Sequence, residues 1–389
     1  MNKLLTSNLK LGIIAGGQLG KMLIQEASKW DITTFVLDND EDCPAGKIAS
    51  HFYGGSNVDF DSVYHFGKLV DVLTYELENI NIEALKKLKA EGCFIVPDPV
   101  VLELIQDKGL QKDFYAKNNI PAANYKICKT KDEIIERLEA GEIKFPFVQK
   151  LRTGGYDGRG VAVIKNKTDL MNLLTGASVI EEKIEIEKEI AVIVARNKSG
   201  QIRSYPVVEM LFDSRAHLVD KLFCPSTITP EQAKLAADIA CRIIELLEME
   251  GLLAVELFVD CNGKVLVNEV APRPHNSGHH TIESVATSQF EQHLRAILNL
   301  PLGPTSLLFP SVMINMLGAE GHQGPVFYEG LLQGLAIDGV NVHLYGKKIT
   351  KPFRKMGHVT VVAPTLDLAL KKAEKVQKLL KVKTLKGVK

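Results

Sequence analysis

Phe147-Val-Gln-Lys-Leu-Arg-Thr-Gly-Gly-Tyr-Asp-Gly-Arg-Gly160 carries a lysine out of an apolar strand into a run with four glycines. Gly154, Gly155, Gly158 and Gly160 leave the backbone free to turn successive N–H groups toward one point. Such a run can fold over a polyphosphate as an anion-binding nest, with Lys150 and Arg159 adding full positive charge. The order is not that of a P-loop, because here the lysine precedes the glycines. A flexible surface hairpin is the plain alternative for the segment taken alone. The rest of the chain decides.

The surrounding section has its own character. Residues 108–118 and 131–140 are predicted helical, and 147–151, 161–165 and 179–182 are predicted strands, giving a small α+β lobe placed to act as a lid. Upstream, strand and helix alternate as in an open parallel sheet. Strands are expected at 10–15, 33–37 and 71–75, with helices at 18–29 and 82–91. Residues 93–96 then run into Pro97 and Pro99, a natural boundary. Downstream, strands are expected at 190–195, 202–208, 252–259, 265–270, 312–316 and 359–362, covered by helices at 231–247, 289–299 and 367–380.

The chain has 389 residues, enough for two or three domains with sizeable cores. Lys+Arg and Asp+Glu are 47 each, so no global basic field points to nucleic acid. No apolar run approaches the ~20 residues that span a bilayer. The N-terminal lysines lead straight into a strand rather than a signal segment. The six cysteines are scattered without any C-x-x-C spacing, which predicts reduced structural thiols in a cytoplasmic protein.

Chemistry concentrates at four places. In Val255–Val270, Asn262-Gly263 signals a two-residue hairpin turn, so that paired residue numbers sum to about 525. Glu256 then faces Glu269, and two like charges in an apolar setting need a cation or a shared proton. Hard oxygen donors of this kind suit Mg²⁺ held together with nucleotide phosphates; a register one residue off would instead leave both at a solvated rim. Asn268 points to the opposite face in this register. Next, Ala271-Pro-Arg-Pro-His-Asn-Ser-Gly-His279 places Arg273, His275, Asn276 and Ser277 on a stiffened chain suited to an anionic substrate. His279 reads as a satisfied loop residue, and a zinc pair through two prolines is not expected. Lys347-Lys348 and Arg354-Lys355 bracket Pro352 and could clamp a phosphate, or form a solvated surface. At the other end, Ala15-Gly-Gly-Gln-Leu-Gly20 follows a strand and opens a helix, and Thr74-Tyr-Glu-Leu-Glu78 ends a second strand with two acids. For both acids, helix capping is the plain alternative.

In combination, Gly16–Gly20, Arg152–Gly160, Asn268–Arg273 and His275–His279 resemble the ATP-grasp superfamily, and within it the N5-carboxyaminoimidazole ribonucleotide synthetases of purine biosynthesis. The resemblance implies an α/β and α+β ATP-grasp fold. A Rossmann-like substrate domain would cover 1–105, a lid lobe 106–184, and a C-terminal lobe with a small terminal subdomain 185–389. It implies an ATP-dependent carbon–nitrogen ligase, with carboxyphosphate formed from bicarbonate and ATP and captured by 5-aminoimidazole ribonucleotide. Lys108, Lys150 and Asn268 would contact ATP, with Gly155, Tyr156, Asp157, Gly158, Arg159 and Gly160 over its phosphates. Glu181, Glu182, Ile184 and Glu189 would line the adenine and ribose pocket. Glu256 and Glu269 would hold Mg²⁺, with Mn²⁺ as a substitute. Gln18, Leu19 and Glu76 would meet the ribonucleotide, whose 5′-phosphate Lys347, Arg354 and Arg273 would bind. Tyr156, Asp157, Arg159, His275, Asn276 and Ser277 would surround the reacting centre, with Asp157 and His275 handling the amine proton and Arg273 its charge. A cytoplasmic homodimer acting on small molecules, with no nucleic acid and no membrane, completes the implication. Two departures stand out. Ala15 replaces a third glycine, and Phe212 stands where the family more often has histidine. A formate-using glycinamide ribonucleotide transformylase shares the activation logic; an NAD-dependent oxidoreductase and a non-catalytic ATP sensor are further readings.

Overall fold

Residues 8–155, 160–212 and 219–385 are described by the computed structural model. The alternating pattern near the N-terminus folds as a five-stranded parallel sheet. Its order is His51–Gly54, Thr33–Asp38, Lys10–Ile14, Val72–Tyr75 and Phe94–Ile95. The central strands are apolar nearly throughout, as parallel strands covered on both faces must be. Strand order reverses between Lys10–Ile14 and Val72–Tyr75, and a crevice opens at their carboxyl ends. Ala15–Gly20 and Glu76 follow these two ends directly.

The lid is a four-stranded antiparallel sheet in the order Tyr125–Cys128, Ser178–Glu182, Phe147–Leu151, Val161–Ile164. Its small core is built on Ile134, Phe147, Ile164 and Ile180. The remainder is an antiparallel sheet of nine strands, with a small three-stranded sheet of Ile349–Thr350, Gly324–Glu329 and Lys381–Thr384 beside it. The larger sheet runs from Val265–Ala271 through Gly251–Asp260, Ile186–Arg196, Val208–Phe212, Val219–Cys224, Ser311–Leu317 and Lys355–Val362 to Val340–Leu344, with Ile202–Ser204 on the side. The expected strand over 202–208 is broken: Tyr205 turns in to donate to the carbonyls of Thr287 and Ser288, and pairing resumes at Val208.

Helix Pro230–Leu246 starts with a capping box, Thr229 and Gln232, and proline in its first turn. Its buried stripe of Ala236, Ile239, Ala240, Ile243 and Ile244 seals Ile190, Val192, Val194, Leu253 and Val255. On the other face, helix Gln289–Ile297 packs Phe290, Leu294 and Ile297 against Leu19, Met22 and Leu23 of helix Gln18–Ala27. That contact joins the parallel sheet to the large sheet. No helix among the described residues is long and apolar enough to cross a membrane.

Candidate active site

The hairpin does bring Glu256 opposite Glu269, by a route other than the expected one. Near the turn Val259 pairs with Val265 and Leu257 with Val267, one residue out of the expected register. The loop has three residues, Cys261–Gly263, closed by the Gly263 amide donating 2.8 Å to Asp260 O, with Gly263 in the left-handed region at φ 80°. A bulge then places Asn268 as an extra residue and restores the facing glutamates. The same bulge turns Asn268 into the site: its Oδ1 accepts 2.8 Å from Lys150 Nζ. The opposite-face reading of Asn268 is therefore corrected.

Two lysines meet these acids. Lys108, at the start of helix Lys108–Lys117, bonds Glu269. Lys150, on the lid strand, reaches both Asn268 and, at 3.0 Å, Glu181 Oε2. The two glutamates consequently differ. Lys108 holds Glu269 well below the usual carboxylate range against the cost of burial, whereas burial and the charges of Glu269 and Glu189 push Glu256 up. Glu189 is also pushed up by burial, to about 7, with Lys150 opposing. Two facing hard-oxygen donors, one already neutralised by an ammonium, are a donor set that fits Mg²⁺. No cluster of three or more His, Cys, Asp or Glu side chains among the described residues forms a metal cage by itself. Remaining ligands would have to come from the nucleotide.

Glu182 is turned outward to accept 2.9 Å from Asn124. Ile184 lies in the turn following the lid strand, half-buried. Phe212 ends its strand 37% exposed, so an aromatic edge is what this chain offers there. Gly155 and Gly160 flank the loop, and the Gly160 carbonyl accepts from Leu151 N–H. Tyr156, Asp157, Gly158 and Arg159 lie outside the described residues.

At the crevice of the parallel sheet, the Glu76 carboxylate accepts from the amides of Gly17 and Gly20. It caps helix Gln18–Ala27, and a side chain at position 17 would run into it. Burial pushes Glu76 up to about 7, against those amides, Arg273 and Lys347. A dinucleotide pyrophosphate would need the amides that Glu76 already uses, so the oxidoreductase reading fails on geometry. Ala15 holds φ 73°, a left-handed position where glycine would be unstrained. Leu19 is buried in the core with its side chain, leaving only its backbone to the crevice. Gln18 is half-buried beside it.

Across the crevice, Arg273 Nη2 bridges both Glu78 oxygens at 2.8 and 3.1 Å. The sequence left Glu78 open between a ligand-facing acid and a helix cap; only the fold shows it orienting Arg273. His275 Nδ1 accepts from Ser277 N–H at 3.3 Å, and its Nε2 lies 3.6 Å from Glu256 Oε1. The same Nδ1 also lies 2.9 Å from Ser277 Oγ, so this one side of the ring is tied to Ser277 while the other faces the glutamate. Asn276 exchanges amide hydrogen bonds with Asn315 at 2.9 and 3.0 Å. Lys347 donates to Lys355 O and Arg354 Nη1 to Ile349 O at 2.6 Å, which ties the two ends of that basic segment together. His279 is fully buried and bonded to Gln289.

Comparison with known proteins covers nearly the whole chain. Residues 9–106 match a ribonucleotide synthetase preATP-grasp domain, 113–290 an ATP-grasp domain, and 311–372 a phosphoribosylaminoimidazole carboxylase C-terminal domain. The N5-carboxyaminoimidazole ribonucleotide synthase of Bacillus subtilis is 35% identical over 92% of this chain and 92% of its own. A chloroplastic phosphoribosylaminoimidazole carboxylase of Vigna aconitifolia is 38% identical over 92% of this chain, which spans 64% of that relative's length. The crystal structure of N5-carboxyaminoimidazole ribonucleotide synthetase from Thermotoga maritima superposes with TM-score 0.90 and 47% identity, covering 97% of this chain and 100% of that one. An Aspergillus clavatus synthase in complex with ADP and 5-aminoimidazole ribonucleotide gives TM-score 0.87 at 30% identity, covering 96% and 99%.

Proposed function

This chain belongs to the N5-carboxyaminoimidazole ribonucleotide synthase family of ATP-grasp proteins, and from that premise we propose that it carboxylates 5-aminoimidazole ribonucleotide with bicarbonate and ATP. ADP and phosphate are the other products. The observation that carries the reading is the meeting of three elements at one cleft. The facing Glu256 and Glu269, the lysines 108 and 150, and the Glu78-oriented Arg273 converge between lid and parallel sheet.

Bicarbonate is a poor electrophile, and phosphorylation by ATP gives it a leaving group. Lys108 and Lys150 offset charge on the transferring phosphoryl group. Glu256 and Glu269 would hold Mg²⁺, which when bound supplies further charge neutralisation at the phosphates. The amine lone pair then attacks the carboxyl carbon of carboxyphosphate and expels phosphate, or attacks CO₂ after carboxyphosphate has already lost its phosphate, and the amine gives up a proton. Arg273, Lys347 and Arg354 would hold the 5′-phosphate, with Gln18, the Leu19 backbone and the Glu76-capped turn at the base. Asp157 and His275, whose Nε2 lies 3.6 Å from Glu256 Oε1, are the candidates for handling the amine proton. Lid closure keeps water from the activated intermediate. The six cysteines are unpaired, which supports the cytoplasmic setting; the homodimer rests on the family resemblance.

ADP release from Mg·ATP and bicarbonate, with and without the ribonucleotide, tests the proposal. Stimulation with matching incorporation of bicarbonate carbon is the expected result. Stimulation by formate and glycinamide ribonucleotide instead would move the protein to the transformylase reading.

A further inference from the structure

We propose that Lys112 is a positioning residue of the nucleotide site, keeping Glu181 paired so that Lys150 is free to turn to the nucleotide's phosphates. This rests on the ATP reading given above. Lys112 lies one helical turn after Lys108 on the same face of helix Lys108–Lys117. Only 3% of it is exposed, and Lys is almost never so buried without a paired charge. Its partner is Glu181, 4% exposed, whose Oε1 lies 3.1 Å from Lys112 Nζ as an ion pair that falls short of hydrogen-bond geometry. The other oxygen of Glu181 lies 3.0 Å from Lys150 Nζ. Lid pairing explains the second contact. Lys150 stands opposite Val179, so Glu181 is its diagonal neighbour on the same face.

One carboxylate therefore holds two ammonium groups, one on each oxygen. A buried carboxylate stripped of its only cation is costly, and that cost would hold Lys150 in place. With Lys112 fixed on Oε1, Lys150 can exchange Oε2 for a phosphate oxygen while Glu181 stays neutralised. An apolar side chain of similar length would fill the same space more cheaply, so packing alone does not account for a lysine here. The arrangement also directs the Glu181 side chain to the lysines, leaving its backbone for the adenine pocket.

The test is calorimetric titration of Mg·ADP, and of adenosine by competition, into wild-type, Lys112→Met, Lys112→Arg and Lys112→Met/Glu181→Gln proteins. Lys112→Met should weaken Mg·ADP on the order of tenfold, the size of one lost charge-assisted contact, with adenosine within about twofold of wild type. Lys112→Arg retains the cation and should stay within about threefold of wild type. The double variant removes the competing carboxylate and should regain most of the Mg·ADP affinity. Undiminished Mg·ADP affinity in Lys112→Met, or an equal loss for adenosine, would overturn the role. So would a double variant no better than the single one. Should Lys112→Met fail to fold, the double variant and Lys112→Arg decide by the same criteria. Wild-type protein that binds no Mg·ADP would instead defeat the nucleotide reading, a result distinct from any of these.

Discussion

Glu189 holds its carboxyl near neutrality because burial raises it from 4.5 to about 7, more than Lys150 pulls it down. The folded chain therefore binds this proton more tightly than the unfolded chain. The stability linked to it is fully present below about pH 4.5 and is lost as pH rises through 7. Allowing for partial exposure, the loss is about 2 kcal/mol, less than the full shift would give. Glu189→Gln should flatten this part of the curve between pH 5 and 8, leaving the similar fall that Glu76 contributes. Urea midpoints across that range check it, and parallel curves for the two proteins would refute it. At this scale the sequence was readable where a residue type is rare in its setting, as with the two glutamates in apolar strands. It was silent on Lys112 and did not reach the role of Glu78. A lysine four places after another on a helix looks like a solvated stripe, and an acid at a strand end looks like a cap. Their partners, Glu181 and Arg273, are 69 and 195 positions away along the chain.

The hairpin Gly251–Ala271 shows what elements add. Asn262-Gly263 correctly marked a turn, and the facing glutamates followed, yet turn length and register each differed by one residue. The two differences cancel because the bulge at Asn268 inserts the residue that the longer loop removed. Local turn chemistry cannot reveal a bulge further along the strand, where Asn268 finds its partner, Lys150, on another sheet. Short strands were missed for a related reason. Tyr125–Cys128 has four residues and becomes a strand by pairing with Ser178–Glu182. The bulge also makes a prediction specific to this element. Deleting Asn268 should leave Val267 paired with Leu257 and Glu269 still opposite Glu256. The carboxylate pair would survive while Lys150 loses its amide partner. Mg·ADP affinity should then fall about tenfold with the strand content intact. Circular dichroism with a binding titration measures both, and unaltered affinity would show that Asn268 has no part in the site.

For the molecule as a whole, the two walls of the cleft are built differently. The parallel sheet is fixed to the large sheet by an apolar contact, Leu19, Met22 and Leu23 on Phe290, Leu294 and Ile297. A buried Thr74–His293 hydrogen bond at 3.0 Å and the Arg273–Glu78 pair reinforce it. The strand sheet of the lid is tied mainly through polar groups, Arg152 to Asp107 at 2.6 Å and Lys150 to Asn268, whereas the helix before it, Lys108–Lys117, is seated in the large core through Tyr115. The lid sheet's own core around Phe147 and Ile180 is separate from the large core. Burial of apolar surface resists separation in a way that exchangeable ion pairs do not, so the lid is the wall free to move. One of these ties, Lys150 to Asn268, moreover involves the groups that a nucleotide would engage. Mg·ADP should accordingly slow amide exchange in the lid strands Phe147–Leu151 and Val161–Ile164, with little change in Lys10–Ile14 and Val72–Tyr75. The ribonucleotide alone should protect the turn after Lys10–Ile14 and leave the lid as it was. Hydrogen-exchange mass spectrometry with each ligand separates the two patterns. Equal protection of both walls by Mg·ADP would mean that the cleft closes from the parallel-sheet side as well, and that the apolar contact at Leu294 is not the fixed joint inferred from its burial.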